Sequence, residues 1–541
     1  MIFEIRSRDG LARSGILREG ETSLRLPAVV DASSFFSTSL DRPFTNVPLG
    51  APQGLAEQYL VAGEHPTTVH PQKPVPVPDG DIAMVANWHT ALQNPRQYVD
   101  WLISLKTDVR ADTAWYAPAA ALPSTVWMLI ATGFDLFDTT AVDLKSAQGI
   151  FCLPEGEFPA DLLDQGVCAC QGCRDHDLKV HNRLALEAEV NRVGVFLQKG
   201  QLRELAEARC RLNAAQVSVL RHLDNHYDFV EQWTPVARTA TFKANSGDSM
   251  NRPEVKRYMD RLLTRYIPPS AEVAVLLPCS ARKPYSRSQS HRKFINTVAG
   301  RAHEIIITSP LGVVPREIEL CYPAAHYDVP VTGYWDREEV AVLADVLAKY
   351  LAKHQYRRVI AHLEGGAMQV AAMAADICGI TLECTVRDHP TSGGSLSALD
   401  AALAGERRVR SDQIKGMLSF QFDADVDTAG MQVRGKFPRL SVMRNRRPLF
   451  SLDTTTGMLR PTFEGWSLIP RGYRVVIDDF VPQGDILAPG VLSADPVIRE
   501  GDEVLVEGPH ALATGRAAMG AFEMARSNHG VAVRRRKVMK R

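Results

Sequence analysis

The sequence predicts a multidomain α/β protein, and three observations lead there. Short apolar runs alternate with helix-patterned stretches over two long segments. A proline-containing break, Ile267-Pro-Pro-Ser270, separates those segments, and from about Ala401 the chain turns compact and strand-rich. The chain has 541 residues, and roughly 150 residues per domain as a guide gives three or four domains. Hydrophobic residues at 45% and charged residues at 23% are ordinary for a globular chain and exclude disordered, collagen-like and fibrous classes. Lys plus Arg and Asp plus Glu both number 62, so a nucleic-acid surface has to be a local patch.

In chain order, the opening MIFEIRSRDG lacks the basic-then-apolar pattern of a signal peptide. The uncharged run Thr113 to Phe134 contains Pro118, Pro123, Ser124 and Thr125, which argues against a membrane span. A soluble, cytoplasmic protein is therefore expected. Asp81 to Asn87 reads as a strand, Gln97 to Leu105 as a helix, and Val126 to Ile130 as a strand ending at the Gly133 turn. Such β/α repeats suit a barrel or a doubly wound sheet. Leu184, Leu186, Val190, Val193, Phe196 and Leu197 recur at helical spacing, and Gly200 stops that helix. Beyond the break, Val273–Leu277, Glu304–Thr308 and Val359–Leu363 read as strands and Glu338–His354 as a crossover helix, the pattern of a parallel sheet. Gly416–Phe422, Val442–Pro448 and Leu449–Leu452 read as strands, and a last module starts near Arg471. The expected division is 1–265, 271–400, 401–468 and 469–541.

Nine cysteines are too few for a disulfide framework in a chain this long. Most are scattered and suit buried small hydrophobes. Cys168-x-Cys170-x-x-Cys173, followed by His176 and His181, is different: three soft ligands and an imidazole satisfy tetrahedral zinc, and four protein ligands make the site structural. His181, which opens a helix, is preferred to His176 as the fourth ligand. The competing reading is a metal-free thiol loop in a reducing cytosol.

This cluster, His181-Asn182-Arg-Leu-Ala-Leu-Glu and Gly200-Gln-Leu-Arg-Glu-Leu together resemble the zinc-and-helix segment of the archaeal tRNA-guanine transglycosylases. Gly133-Phe-Asp-Leu-Phe-Asp138 resembles that family's strand-end motif, whose last Asp is the nucleophile of base exchange. The resemblance implies a TIM barrel over most of residues 1–265. It also exposes a departure: the second carboxylate of the family, in an Asp-Ser-Gly-Gly-Phe type segment, has only a weak echo in Asp31-Ala-Ser-Ser-Phe35. The barrel then reads as a degenerate, tRNA-binding platform with Asp138 as a structural acid.

The densest polar cluster lies in Leu276-Leu-Pro278-Cys279-Ser280-Ala-Arg282-Lys283-Pro284-Tyr285-Ser286-x-Ser288-x-Ser290-His291. It follows an apolar strand, and loops at the carboxyl ends of parallel strands bind ligands. A helix starting near His291 adds backbone N–H groups. Cys279 beside Arg282, Lys283 and His291 is expected to have a lowered thiol pKa. The string resembles the signature Pro-Cys-Ser-x-x-Lys-Pro-Tyr-x-x-Ser-x-Ser-His of the archaeosine synthase alpha subunit family, met at Pro278, Cys279, Ser280, Lys283, Pro284, Tyr285, Ser288, Ser290 and His291. Thr308 to Glu317 and Tyr322 to Asp328 look like parts of the same domain.

The resemblance implies an enzyme that adds free lysine to the nitrile of 7-cyano-7-deazaguanine in the tRNA D-arm. An amidine-linked adduct results, and a separate radical-SAM partner cleaves it to archaeosine. Cys279, Lys283, Tyr285, Ser288, Ser290 and His291 are then the catalytic candidates, with Cys279 as nucleophile, His291 as proton carrier and Lys283 stabilising the developing anion. Direct attack by the amine, with Cys279 structural, is the rival. Pro278, Ser280, Arg282, Arg316, Glu317, His326 and Asp328 are the substrate-binding candidates.

Arg434, Lys436, Arg439, Arg444, Arg446 and Arg447 fall in a stretch without an acid, as do Arg534, Arg535, Arg536, Lys537, Lys540 and Arg541. Both suit phosphate binding, against the plainer reading of solubilising faces. Arg471-Gly-Tyr-Arg-Val-Val-Ile477, Gly501-Asp-Glu-Val-Leu-Val506 and Thr514-Gly-Arg516-Ala517 resemble a PUA domain, a small RNA-binding β-barrel. The full expectation is a degenerate TIM barrel of the transglycosylase type with a zinc site, a parallel-sheet α/β domain, a small α+β domain and a C-terminal PUA β-barrel. Its partners would be nitrile-bearing tRNA, free lysine and the radical-SAM subunit, with no membrane and a homodimer left open. Base exchange, or a non-catalytic scaffold holding tRNA for the partner, are the alternatives.

Overall fold

The computed structural model describes residues 1–31, 67–69, 81–85, 94–329, 334–409, 412–436 and 439–541. The chain forms two compact units, Met1–Pro235 with Val475–Arg541, and Val236–Arg474. The unit boundary falls ahead of the Ile267–Ser270 break, which lies inside the second unit. No helix among the described residues is long and apolar enough to cross a membrane.

The first unit opens with an antiparallel meander of β1 (Ile2–Asp9), β2 (Ala12–Glu19) and β3 (Thr22–Leu26). β4 (Ala28–Val29), β5 (Thr67–Val69), β6 (Ile82–Val85), β7 (Ala114–Ala117) and β8 (Leu136–Phe137) form a parallel sheet in the order β4-β8-β7-β6-β5. Every residue of β6 and β7 is buried, as a parallel sheet covered on both faces requires. Alternation splits β7: Ala114 and Tyr116 join Phe3, Leu17 and Met84 on one face, while Trp115 and Ala117 pack with Tyr98, Trp127 and Val190 on the other. That second face is covered by α1 (Pro95–Asp108), α2 (Val126–Ala131) and α3 (Leu178–Gln198). The strand expected at Val126–Ile130 is the helix α2; all five residues are buried, and so short an apolar run carries no period to separate helix from strand.

The second unit contains α4 (Pro253–Thr264) and a five-stranded sheet of β12 (Val273–Pro278), β13 (His303–Thr308), β14 (Gly312–Pro315), β16 (Arg358–Ala361) and β17 (Leu382–Cys384), numbered after β9 (Ile150–Leu153), β10 (Gly156–Pro159) and β11 (Phe242–Lys243), and with β15 (Tyr327–Asp328) paired to β11. Its order is β14-β13-β12-β16-β17, parallel except for β14. The central strand β12 therefore has a parallel neighbour on each side, and successive crossovers leave in opposite directions beside it, which opens a crevice at its carboxyl end. The helices are α5 (Gln289–Val298), α6 (Arg337–His354), α7 (Gly365–Cys378) and α8 (Gly393–Ala402). Val273, Val275, Leu277, Phe294, Ile360 and Leu399 form the core on one face.

α9 (Gln413–Phe422) occupies the segment expected to be a strand. Asp412 caps it by accepting the Lys415 N–H, and Gly416 admits Glu317, which lies 2.8 Å from where a Cβ would stand. The strands β18 (Gln432–Lys436), β19 (Arg439–Arg444), β20 (Arg447–Leu452) and β21 (Leu459–Pro461) then form an antiparallel sheet.

The last strands return to the first unit as a nearly closed barrel: β22 (Arg474–Ile477), β23 (Ile486–Leu487), β24 (Val491–Ala494), β25 (Glu503–Glu507), β26 (Ala511–Ala517) and β27 (Val531–Lys540), in the order β23-β27-β26-β25-β22-β24. The Gly-Arg-Ala element needs its glycine, because a Cβ on Gly515 would stand 2.6 Å from the Arg534 carbonyl oxygen. Arg8 binds Glu523 at 2.6 Å with both side chains buried, and Asp112 accepts the N–H groups of Asn528 and His529 at 2.8 and 2.9 Å.

Candidate active site

At the carboxyl end of β12 the chain leaves through Pro278 into the Cys279 loop, then a 3-10 turn over Tyr285–Arg287. Tyr285 is fully buried, and its hydroxyl stands 2.5 Å from the Tyr327 hydroxyl and 3.4 Å from Thr308 Oγ1. Thr308 Oγ1 in turn lies 2.5 Å from the Tyr327 hydroxyl. The last residue of β13 and the first of β15 thus join the loop in a triangle of three buried hydroxyls. Lys283 Nζ sits 4.1 Å over the Tyr327 ring, a cation–π contact.

Cys279 borders this triangle. Burial pushes its thiol up; the Thr308 hydroxyl and the Lys283 charge pull it down, but less. The lowered thiol pKa expected from the neighbouring cations is therefore corrected: Arg282 is exposed, Lys283 alone among them acts on the sulfur, and desolvation wins. Burial also pushes the Lys283 amine down, opposed by Cys279 and Asp328. The structure brings together Cys279, Lys283, Tyr285 and Asp328, and adds Thr308 and Tyr327.

Other candidates have different tasks. Ser288 caps α5, accepting the His291 N–H at 3.2 Å, and Ser290 bonds to it at 3.1 Å. Ser280 donates to the Arg282 carbonyl at 3.0 Å. His291 is completely buried, and Arg316 Nη2 donates to its Nδ1 at 2.9 Å. Burial and that guanidinium push His291 down to about 3, which speaks against the proton-carrying role expected of it near neutrality. Arg316 is committed to Glu304 at 2.7 Å and Glu319 at 2.8 Å, and Glu319 accepts the Ser286 N–H at 3.0 Å. Its guanidinium thus meets two carboxylates and the His291 imidazole.

Glu317 bonds to His303 and Tyr266, both at 3.0 Å, at the amino end of β13 and away from the loop. His326 packs on Tyr322, with ring centroids 5.5 Å apart.

Cys168, Cys170, Cys173 and His181 place their ligand atoms within 4.8 Å of one another. His181 Nδ1 is 3.3 Å from both the Cys170 and the Cys173 sulfur, while its Nε2 lies 3.1 Å from the Cys152 carbonyl. A proton held on Nε2 leaves the Nδ1 lone pair toward the thiols, the tautomer a metal needs. Asn182 fastens this helix to β9 by accepting the Cys152 N–H at 2.8 Å. His176 turns outward to Asp164 at 2.8 Å, which settles the choice between the histidines. The donor set fits a four-coordinate metal.

Asp138 is buried and accepts from the Tyr116 hydroxyl, Ala119 N–H and Thr140 N–H at 2.7, 2.9 and 2.7 Å. Of Asp31–Phe35, only Asp31 lies among the described residues.

Arg434, Arg439, Arg446 and Arg447 are exposed on β18–β20, while Arg444 is half-buried and donates to the Asp427 carbonyl. Lys436 ends β18, and its side chain lies outside the described residues. On the barrel, Arg534 and Arg536 are exposed, Arg516 and Arg536 share Glu503, and Arg535 donates to the Gln483 carbonyl at 2.9 Å.

A parallel α/β unit with a thiol at its switch point, a cysteine-rich metal cluster and a terminal barrel define the class. Residues 255–403 match the family described as Domain of unknown function (DUF5591), and residues 473–539 match the PUA domain. The chain is 35% identical to archaeosine synthase subunit alpha of Methanosarcina acetivorans, over 99% of each chain. It is 36% identical to archaeosine synthase of Haloferax volcanii, over 100% of this chain and 99% of that one. It is 25% identical to tRNA-guanine(15) transglycosylase of Methanobrevibacter smithii, over 78% of this chain and 66% of that one. The chain belongs to the archaeosine synthase subunit alpha family and is related to the tRNA-guanine transglycosylases.

Thr308 and Tyr327 escaped assignment as site residues. Their only signal was that each stands in a segment already grouped with the Cys279 loop.

Proposed function

We propose that this protein is a tRNA-modifying enzyme of archaeosine biosynthesis, which adds free lysine to the nitrile of 7-cyano-7-deazaguanine in the tRNA D-arm. The observation that carries the reading is the Cys279 thiol acted on by Lys283 and by the Thr308 hydroxyl, itself bonded to Tyr327 and Tyr285, at the switch point of the sheet, in a chain of this family. The thiol adds across the C≡N bond: sulfur bonds to carbon and the thiol proton ends on nitrogen, leaving a thioimidate. The neutral side-chain amine of lysine then bonds to the same carbon. The carbon–sulfur bond breaks and sulfur leaves with a proton from the amine, so an amidine remains and no electrons enter or leave.

A thiol kept protonated by burial suits this step, because its proton is wanted on the nitrile nitrogen. Thr308 is the first carrier for it, with Tyr327 and Tyr285 behind. Lys283 as ammonium stabilises negative charge developing on nitrogen. Arg316, through His291 and Glu319, holds the loop in register.

The five parallel strands of the first unit are read as part of a degenerate barrel that carries tRNA, with the exposed arginines of β18–β20 and the PUA strands gripping phosphates. Cys168, Cys170, Cys173 and His181 would hold a structural zinc, which supplies cross-linking of the loop and no chemistry. The subunit name of the relatives supports a partner, read as the radical-SAM enzyme that consumes the adduct.

The test is to incubate the protein alone with nitrile-bearing tRNA and labelled lysine. Label in tRNA is expected; free base released without label would point to base exchange, and neither would point to a scaffold.

A further inference from the structure

A cleft of about 500 Å³ opens in the second unit beside the carboxyl end of β13. Ser309 and Pro310, which follow Thr308 directly, form one wall, so the cleft stands at the same end of the sheet as Cys279. Its volume lies in the range of small-ligand sites. Met250, Met259, Val342, Val346 and Trp335 give it apolar walls. Trp335 is held flat against the first turn of α7, where Gly366 has no Cβ: one would stand 3.1 Å from the indole.

The charge around the cleft is one-sided. Asp336, Glu338, Glu339 and Asp345 line it against a single lysine, Lys256. Asp336 and Glu339 cap α6 reciprocally, the Ser309 hydroxyl donates to Glu339, and Asp345 binds Lys349 at 2.6 Å, but Glu338 is exposed and makes no ion pair among the described residues. Four carboxylates repel a phosphodiester backbone, which removes RNA as the occupant. Apolar walls, an aromatic face and surplus negative charge match a small molecule with an aliphatic stem and an ammonium end.

We propose that this cleft is the binding site for the free amino acid with a cationic side chain, and that it feeds the amine to the Cys279 loop. The inference rests on the lysine-addition reading above and places the co-substrate on residues not previously considered for it. It takes the place of Arg316 and Glu317, whose charged atoms are paired with Glu304 and His303, and of His326, whose ring packs on Tyr322.

The experiment is steady-state labelling of nitrile-bearing tRNA by the full chain, with the KM for lysine and the KM for tRNA measured separately. Glu338→Lys and Trp335→Leu are compared with wild type and with Glu187→Lys, an exposed acid on α3 outside the site. The expected result is a lysine KM raised about tenfold or more in both cleft variants, a tRNA KM within about twofold, and no change in the control. Norleucine, which keeps the stem and lacks the side-chain amine, should not compete. An unchanged lysine KM in both variants overturns the cleft while lysine addition stands. Equal rises in both KM values, or a matching rise in the control, overturn it as a general field effect. Wild type that never labels tRNA overturns the functional reading, and the cleft with it.

Discussion

Two parallel strands in this protein end in a side chain able to do covalent chemistry, and their surroundings differ. Beyond β8, Asp138 is buried beneath three donors, the Tyr116 hydroxyl and two backbone N–H groups. Those bonds occupy lone pairs on both carboxylate oxygens, which a nucleophile needs free. Beyond β12, Cys279 has one hydroxyl, Thr308, bonded to it and one ammonium acting on it, and burial pushes its thiol up. A relative that matches 78% of this chain is named tRNA-guanine(15) transglycosylase. Asp138 is thus tied down by three hydrogen bonds, while the thiol of the second unit has one side-chain partner, Thr308. On the function proposed above, the same architecture supports a retired strand end and an active one, and the count of satisfied hydrogen bonds separates them.

The largest expected effect tests that separation directly. Cys279→Ala should lower lysine incorporation by about a thousandfold or more, as removal of a covalent nucleophile does. Asp138→Asn should leave incorporation within about threefold and cost about 1–3 kcal/mol in urea unfolding, since an amide must turn a donor toward one of three N–H or O–H groups. If Cys279→Ala keeps the wild-type rate, attack by the amine is direct and the thiol is structural. If Asp138→Asn loses activity without losing stability, the first strand end is not retired.

A smaller effect concerns the metal cluster of the first unit. Cys173→Ser should remove the bound metal, about one ion per chain in elemental analysis, and lower the unfolding midpoint substantially. His176→Ala should change neither, because its ring turns to Asp164. Loss of metal on His176→Ala, with retention on His181→Ala, would reverse the assignment.

How far the sequence discloses each region follows from the range of the interactions involved. The Cys279 loop is legible because its residues are contiguous and follow an apolar strand. The preference for His181 is legible because a helix start brings an imidazole back to the thiols, and the same reasoning leaves His176 in the loop. α2 and α9 are misread as strands because Val126–Ala131 and Gly416–Phe422 are buried almost throughout, which erases the 3.6-residue period. Arg316 is visible as a charge near the signature, but Glu304, Glu319 and His291, which consume that charge, meet it only in the folded sheet. Thr308 and Tyr327 are unremarkable in sequence; parallel pairing of β12 with β13, and of β11 with β15, delivers their hydroxyls to the loop.

The smallest effect sharpens the active strand end. The Thr308 hydroxyl pulls the Cys279 thiol down against the upward push of burial. Removing it leaves the push less opposed, so in Thr308→Val the pH midpoint for alkylation of Cys279 by iodoacetamide should move upward, and labelling at a fixed pH near 8 should slow. Thr308→Ser keeps a hydroxyl and should restore the wild-type midpoint. Because alkylation needs neither tRNA nor lysine, this readout is independent of the proposed reaction. Catalysis should fall by about tenfold to a hundredfold in the valine variant, the usual loss when one proton carrier is removed. A midpoint that stays put or drops in Thr308→Val would mean the hydroxyl does not touch the sulfur, and the triangle with Tyr285 and Tyr327 would then hold up the loop without serving the thiol.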